Sequence, residues 1–167
     1  GVPKGTLGKT VIGADELAER VRDLGAQITE DYAGRQPLLV GVLKGAFIFM
    51  SDLGRSIGQP VEFDFMAVSS YGDSTTTSGV VRIVKDLETD IRGRDVILVE
   101  DIVDSGLTLR YLRQLLEDRK PASLEVCALL VREGARSDDV RYVGFPIPPD
   151  FVVGYGLDYD NLYRELP

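Results

Sequence analysis

Histidine is absent from this chain, and cysteine occurs only once, at Cys127. Without histidine there can be no histidine general base and no histidine metal ligand, which leaves carboxylates, lysine, arginine and tyrosine for any chemistry. A single cysteine also excludes an internal disulfide. Because Cys127 lies inside the apolar run 126–131, we expect a buried structural thiol in a reducing compartment.

Excess positive charge and long apolar runs are missing as well. The chain has 19 Lys and Arg residues against 27 Asp and Glu residues, a net charge of −8, which disfavours general attraction to nucleic acid or anionic lipid. We therefore expect a small-molecule partner, no nucleic acid and no membrane. Neither a positively charged apolar leader nor an apolar run near the ~18 residues of a membrane helix is present, so we expect a cytoplasmic protein.

Hydrophobic periodicity along the 167 residues predicts one α/β domain, in which a parallel sheet is flanked by helices. Leu17, Val21, Leu24 and Ile28 recur at helical spacing. Strands are predicted at 38–43, 61–67, 80–84, 96–99 and 124–131, and helices at 46–53 and 109–116. We expect a hairpin with a polar turn at 88–94, and an appendage of irregular chain and short strands at 142–167.

The segment 96–109 contains the most chemical information. An apolar run predicts a strand buried on both faces, and it ends at two acids, Glu100 and Asp101, before a loop that opens a helix. Ligands collect at the carboxyl ends of strands in open α/β sheets, and free N–H groups at the start of a helix attract phosphate. Ionised carboxylates accept hydrogen bonds from a vicinal diol such as ribose. The pattern predicts a site for a sugar phosphate.

Each of these residues taken alone also has a simpler interpretation. Asp104 or Ser105 could be a helix N-cap, and the Glu100–Asp101 pair could be a solvated strand end. The combination of two carboxylates, a third acid, Ser-Gly and Thr within nine residues favours a site.

Three other segments allow both a structural and a functional interpretation. Lys44-Gly45 follows a buried strand, and could be an ordinary turn or a phosphate contact. The polar stretch 69–79 could be a disordered loop or a lid that excludes water from a reacting centre. In the tail, residues 149–159 could be a core strand with one exposed acid, and Arg164 could be a solvated surface residue.

The 96–109 segment closely resembles the phosphoribosyl-diphosphate loop of the type I phosphoribosyltransferases, since its acidic pair, third acid, Ser-Gly and Thr stand in the order of that family. Leu43-Lys44-Gly45 is similar to the pyrophosphate-binding loop of the same family. Ser70-Tyr71 resembles the Ser-Tyr pair of its purine salvage members. Residues 149–159 resemble the base-binding hood of its hypoxanthine-guanine members.

The resemblance implies purine salvage: transfer of the 5-phosphoribosyl group from phosphoribosyl diphosphate to hypoxanthine or guanine, giving IMP or GMP and pyrophosphate, with Mg²⁺ as cofactor. It implies a homodimer or homotetramer, a Rossmann-like core at about 36–133, and a small hood from about 1–14 and 134–167. Asp104 is implied as the catalytic proton carrier. The implied phosphoribosyl and 5′-phosphate site is Glu100, Asp101, Asp104, Ser105, Gly106, Leu107 and Thr108; the pyrophosphate site is Lys44, Gly45, Ser70, Tyr71 and Arg164; the base site is Arg132, Phe151, Val152 and Asp158; the metal ligands are Glu100, Asp101 and Asp158.

One departure from the family pattern leaves the base preference open. Arg132 stands where the family usually has a lysine that donates to the exocyclic oxygen of the purine, and the two side chains are not interchangeable. A transferase that prefers xanthine or adenine is the nearer alternative. From a different class, a phosphoribosyl-diphosphate sensor that binds nucleic acid is opposed by the acidic balance and by the lack of an added basic domain.

Overall fold

The computed structural model describes residues 12–71, 80–135 and 139–150 of the 167. Within these ranges the elements in chain order are α1 (Ala14–Asp31), β1 (Leu38–Leu43), α2 (Phe47–Arg55), β2 (Glu62–Tyr71), β3 (Val80–Lys85), β4 (Asp95–Val103), α3 (Leu107–Glu117), β5 (Ser123–Arg132) and β6 (Tyr142–Ile147).

The described strands form one sheet in the order β3-β2-β1-β4-β5-β6. All neighbouring strands are parallel except β3, which runs antiparallel to β2. The carboxyl ends of β2, β1, β4, β5 and β6 therefore lie along one edge of the sheet. The chain leads outward from β1 in one direction and from β4 in the other, so a crevice opens between the ends of these two strands, where α/β proteins bind ligands.

Two hydrophobic layers cover the two faces of the sheet. On one face, α1 and α2 pack against strand residues that include Leu39 and Ile97. On the other face, α3 packs against residues that include Leu38 and Val96. Both β1 and β4 are buried on both sides, which explains why their sequences are almost continuously apolar. The predicted parallel sheet with flanking helices is confirmed.

The spacing-based prediction of the first helix is confirmed too. Leu17, Val21, Leu24 and Ile28 form the buried stripe of α1.

The expected buried thiol is also found, because Cys127 is a free cysteine inside β5 with no exposed surface. Burial raises the pKa of this thiol well above its ordinary value. Within the described ranges, none of the helices has the length and apolar character needed to cross a membrane.

Three local predictions were wrong. The expected hairpin around 88–94 is absent from the described sheet, since β3 pairs with β2 and lies three places from β4. The polar stretch expected to begin at Ser69 still belongs to β2, because Ser69, Ser70 and Tyr71 pair with β3 and so satisfy their backbone groups. The appendage expected from Tyr142 onward begins with β6, an edge strand of the main sheet that pairs with β5.

The polar connection between β3 and β4 is anchored by the buried Asp64 of β2. Its Oδ1 accepts the N–H of Phe65 at 2.7 Å, and its Oδ2 accepts those of Glu88 and Thr89 at 3.0 and 2.9 Å. Burial alone would raise the pKa of Asp64, but these hydrogen bonds outweigh it and hold the pKa below its ordinary value. The segment predicted as a hairpin turn is therefore fastened to the neighbouring strand.

We expect Asp64→Asn to lower the free energy of unfolding by about 2 kcal/mol, because an amide lacks the charge and one of the two acceptor oxygens. Urea unfolding followed by circular dichroism measures the change. Asp90→Asn is the matched control, since Asp90 is an exposed acid of the same connection that accepts only one local N–H, from Arg92, among the described contacts. Its expected effect is within about 0.5 kcal/mol. Equal effects of the two substitutions would show that Asp64 is not an anchor.

Candidate active site

Two loops meet where β1 and β4 end. The β1–α2 loop contains Lys44 and Gly45, and the β4–α3 loop contains Asp104, Ser105 and Gly106. The two strands are parallel neighbours, with Gly41 opposite Val99, so both chains leave the sheet at the same edge. The structure thus brings together two of the predicted motifs, which are separated by more than 50 residues in sequence.

A cavity of about 200 Å³ opens at the end of β4. Five of the predicted phosphoribosyl-binding residues line it together with Val42 of β1: Glu100, Asp104, Ser105, Gly106 and Thr108. Two residues predicted with them, Asp101 and Leu107, do not line the cavity, and the Leu107 side chain is exposed. The backbone N–H of Leu107 donates to the Ser105 hydroxyl at 3.3 Å.

The first turn of α3 is suited to an anion. Gly106 precedes the helix with a φ of 91°, a left-handed conformation that glycine adopts without a Cβ clash. The N-cap position is occupied by Gly106, which has no side chain to cap the helix, and no acid lies in the described first turn. Neither Asp104 nor Ser105 is therefore the N-cap residue, although the Ser105 hydroxyl accepts the N–H of Leu107 at the start of α3. The first N–H groups have no partner inside the helix, and the helix dipole adds positive potential there.

Glu100 is buried rather than solvated. It is 8% exposed at the base of the cavity, which rules out the alternative of a solvated strand end for this residue. Burial, together with the negative charge of Asp101, raises the pKa of Glu100 to about 8 from an ordinary value of 4.5. The folded protein therefore favours a proton or a cation at this carboxyl group.

The raised pKa makes stability depend on pH. Below pH 4.5 the Glu100 carboxyl is protonated in both the folded and the unfolded protein, and its contribution to stability is fully present. This contribution is lost as the pH rises to about 8. Glutamine imitates the protonated carboxyl. We expect metal-free Glu100→Gln to exceed the wild type in free energy of unfolding by about 2 to 4 kcal/mol at pH 8, and to match it near pH 4.5.

Urea unfolding at the two pH values, with a chelator present, measures the Glu100→Gln effect. Glu88→Gln is the control, because the Glu88 side chain is exposed and should show no difference between the two pH values. A Glu100→Gln protein that is no more stable than the wild type at pH 8 would contradict a buried, proton-holding carboxyl group.

Asp101 connects the two loops. Its Oδ1 accepts the N–H of Ile102 at 2.8 Å, and its carboxylate lies against Gly45. A Cβ at position 45 would lie 2.7 Å from Cγ of Asp101 and would collide with Oδ2. Lys44 is exposed beside this contact, and the Leu43–Lys44 peptide bond is cis. The absence of a side chain at Gly45 is what lets the Asp101 carboxylate approach the Lys44 loop.

Arg132, the last residue of β5, reaches into the β4–α3 loop. Its Nε donates to Oδ1 of Asp104 at 2.6 Å, and its Nη1 donates to the carbonyl oxygens of Pro148 and Pro149 at 3.3 and 3.0 Å. Sequence reasoning missed this contact. The ion pair could have been found, because opposite charges stand at the ends of two neighbouring parallel strands. The contacts with the proline carbonyls leave no signal in the sequence, because every residue has a carbonyl.

Several predicted site residues are not placed by the structure. Phe151, Val152, Asp158 and Arg164 lie outside the described residues. Ser70 and Tyr71 are described only by their backbone, as the last residues of β2, and their roles stay predictions. The same holds for most of the polar stretch predicted as a lid, because residues 72–79 lie outside the described ranges.

The carboxylates at the end of β4 are compatible with Mg²⁺. Within the described ranges there is no cluster of three or more metal-ligating side chains. Mg²⁺ in substrate-assisted sites takes one or two carboxylates and completes its shell with waters and substrate phosphates, so Glu100 and Asp101 suffice in number and chemistry. Burial and the neighbouring charge of Asp101 raise the pKa of Glu100, so a cation bound there would stabilise its ionised form.

Comparison with known proteins agrees with this geometry. Residues 13–160 match the family model described as phosphoribosyl transferase domain. The chain is 54% identical over 170 residues to a hypoxanthine-guanine phosphoribosyltransferase of Mycobacterium avium, covering 97% of this chain and 84% of the relative. The corresponding enzyme of Bacillus subtilis is 49% identical over 166 residues, with 98% and 92% covered. A solved hypoxanthine phosphoribosyltransferase of Staphylococcus aureus superposes with a TM-score of 0.82 at 46% identity, covering 95% and 88%.

Proposed function

Since this chain belongs to the phosphoribosyl transferase family, we propose that it is a purine salvage enzyme that transfers the 5-phosphoribosyl group of phosphoribosyl diphosphate to hypoxanthine or guanine. The products are IMP or GMP and pyrophosphate. The observation that carries this function is about 50% identity to hypoxanthine-guanine phosphoribosyltransferases over nearly the whole chain, combined with a cavity formed by the predicted phosphoribosyl loop.

In this proposal the β4–α3 loop binds the sugar phosphate. The 5′-phosphate lies on the N–H groups at the start of α3, aided by the hydroxyls of Ser105 and Thr108. Glu100 and Asp101 accept hydrogen bonds from the ribose hydroxyls. The family uses Mg²⁺ with phosphoribosyl diphosphate. Glu100 and Asp101, and in the proposed site Asp158, would hold it, and it would supply positive charge to stabilise the leaving pyrophosphate.

The transfer breaks the bond between C1 of the ribose and the pyrophosphate oxygen, and forms a bond between C1 and a ring nitrogen of the base. That nitrogen loses its proton, and we assign the proton to the carboxylate of Asp104, which lines the cavity and is 68% exposed in its side chain. Lys44 and Arg164 are proposed to stabilise the charge that develops on pyrophosphate.

The remaining assignments follow the family pattern. Gly45, Ser70 and Tyr71 are proposed to contact pyrophosphate, and residues 72–79 to close over the reacting centre and exclude water. Phe151 is proposed to stack on the purine, with Val152 and Arg132 at its edge. The core of the domain is proposed to span about 36–133, with a hood from about 1–14 and 134–167.

Pyrophosphate release tests the function. The purified protein is given phosphoribosyl diphosphate and Mg²⁺ with hypoxanthine, guanine, xanthine or adenine, one base at a time. We expect release with hypoxanthine and guanine only, which would show that Arg132 replaces lysine without a change of base class. Release with xanthine or adenine alone would reassign the base pocket, and no release with any base would overturn the transferase function.

We further propose a homodimer or homotetramer that works in the cytoplasm. An apolar surface supports the assembly: Phe47 is 54% exposed and Phe63 46% exposed, and the Phe47 and Phe65 rings lie 6.1 Å apart. The free thiol of Cys127 suits a reducing compartment. A monomeric mass by light scattering would contradict the assembly.

A further inference from the structure

One guanidinium joins the ends of three neighbouring strands. Strands β4 and β5 are paired up to Val103 and Val131, so the next residues along them, Asp104 and Arg132, meet at the edge of the sheet. Arg132 is also opposite Ile147, the last residue of β6. The prolines that follow β6 therefore lie within its reach, and the contacts of Arg132 are a consequence of strand register.

The three contacts use two nitrogens of the planar group. Nε of Arg132 donates to Asp104, and Nη1 donates to the carbonyls of Pro148 and Pro149. The Arg132 side chain is 16% exposed, whereas the side chain of Asp104 is 68% exposed. A well-packed arginine thus holds a carboxylate that would otherwise move freely in solvent. Ion pairs with one exposed partner add little stability, so the contact contributes mainly to the orientation of the carboxylate.

We propose that Arg132 is a positioning residue that acts through Asp104. It holds the carboxylate in the direction required to take the proton of the purine, and its own position is fixed by the two carbonyls at the start of the proposed base-binding segment. The inference rests on the proposed function, because it concerns the proton carrier of that reaction. It adds to the family pattern, in which a lysine at this position donates to the exocyclic oxygen of the base.

The chemistry of arginine explains why this chain can use the position in this way. A guanidinium presents donors in a rigid fork, so Nε and Nη1 can serve a carboxylate and a carbonyl at once. A lysine at the same position offers one ammonium group on a flexible stem. It could pair with Asp104 without holding it in a fixed direction.

A double-mutant cycle tests the proposal. We expect Arg132→Gln to lower kcat by about 10-fold or more, because small misplacement of a reacting group is costly. Arg132→Lys should lower kcat less, since it keeps the charge. Neither loss should exceed that of Asp104→Asn. In the Asp104→Asn background, Arg132→Gln should lower kcat by less than about twofold, because the group on which it acts is already lost.

Arg113→Gln is the matched control. Arg113 of α3 is similarly buried, with 21% of its side chain exposed; it pairs with Glu117 and donates to the carbonyls of Leu124 and Asp139, away from the cavity. Its replacement should leave kcat unchanged. Thermal unfolding of each variant separates loss of folding from loss of positioning, and Arg132→Lys serves where the glutamine variant does not fold.

The possible results of these experiments separate failure of the Arg132 inference from failure of the proposed transferase function. If the fold losses in kcat of the two single variants multiply in the double variant, the inference is overturned, because Arg132 then acts independently of Asp104. A rise in the KM for the base with unchanged kcat would also overturn it and leave Arg132 as a base contact. A wild-type protein that transfers to no base would overturn both the proposed function and the inference.

Discussion

Asp104→Asn is expected to lower kcat by about 10²-fold or more, the usual contribution of a general acid or base. The side chain keeps its size and one oxygen but can no longer take a proton at physiological pH. Because the Asp104 side chain is 68% exposed, loss of its ion pair with Arg132 should change the free energy of unfolding by less than about 1 kcal/mol. Steady-state kinetics and thermal unfolding measure the two effects.

Two further measurements make the Asp104 result specific. Binding of IMP or GMP should persist in Asp104→Asn, because the helix N–H groups and the serine and threonine hydroxyls of the phosphate loop remain. Asp118→Asn is the control, since Asp118 is an exposed acid at the other end of α3. Unchanged turnover in Asp104→Asn would remove Asp104 as the proton carrier, while equal losses in both variants would indicate a general effect of charge.

The sheet and its site could be predicted because their signals are local. The apolar run that became β4 needs both faces covered, and the acids and small residues after it must therefore appear at the edge of the sheet. Gly106 is also a local signal, because glycine adopts the left-handed conformation before α3 more easily than other residues do. The position of the β4–α3 loop at this edge follows from these facts without knowledge of distant residues.

The errors arise where the outcome depends on distant partners. Strand β3 could pair with β2 or with β4, and the contacts of Asp64 with the connection after β3 are not visible in sequence. Strand β6 was assigned to an appendage of irregular chain and short strands because prolines follow Tyr142, but proline is tolerated in an edge strand of the described sheet, where no further strand needs its N–H. Glu100 and Asp101 are adjacent acids inside β4, and which of them is buried depends on the layer that covers it, so the burial of Glu100 could not be predicted either.

Gly45→Ala is expected to reduce kcat/KM for phosphoribosyl diphosphate by about 10-fold to 100-fold. The space that a methyl group would need is occupied by the Asp101 carboxylate, which is also held by the N–H of Ile102. Either the carboxylate or the Lys44 loop must move, and both belong to the proposed site. The protein should remain folded, because the displaced atoms are at the end of a side chain. Gly58→Ala is the control, since a Cβ there meets only Thr29 at an ordinary 3.4 Å.

Removal of the Asp101 carboxylate distinguishes two explanations for such a loss. If Gly45 is required because Asp101 occupies the neighbouring space, Gly45→Ala should cost little more in an Asp101→Ala background, where the collision is gone. If Gly45 is required because the backbone of the loop must approach pyrophosphate, the full loss should persist in that background. The structure favours the first result, because the Asp101 carboxylate occupies the space that a Cβ at position 45 would need. Persistence of the full loss would assign Gly45 to the substrate instead of to Asp101.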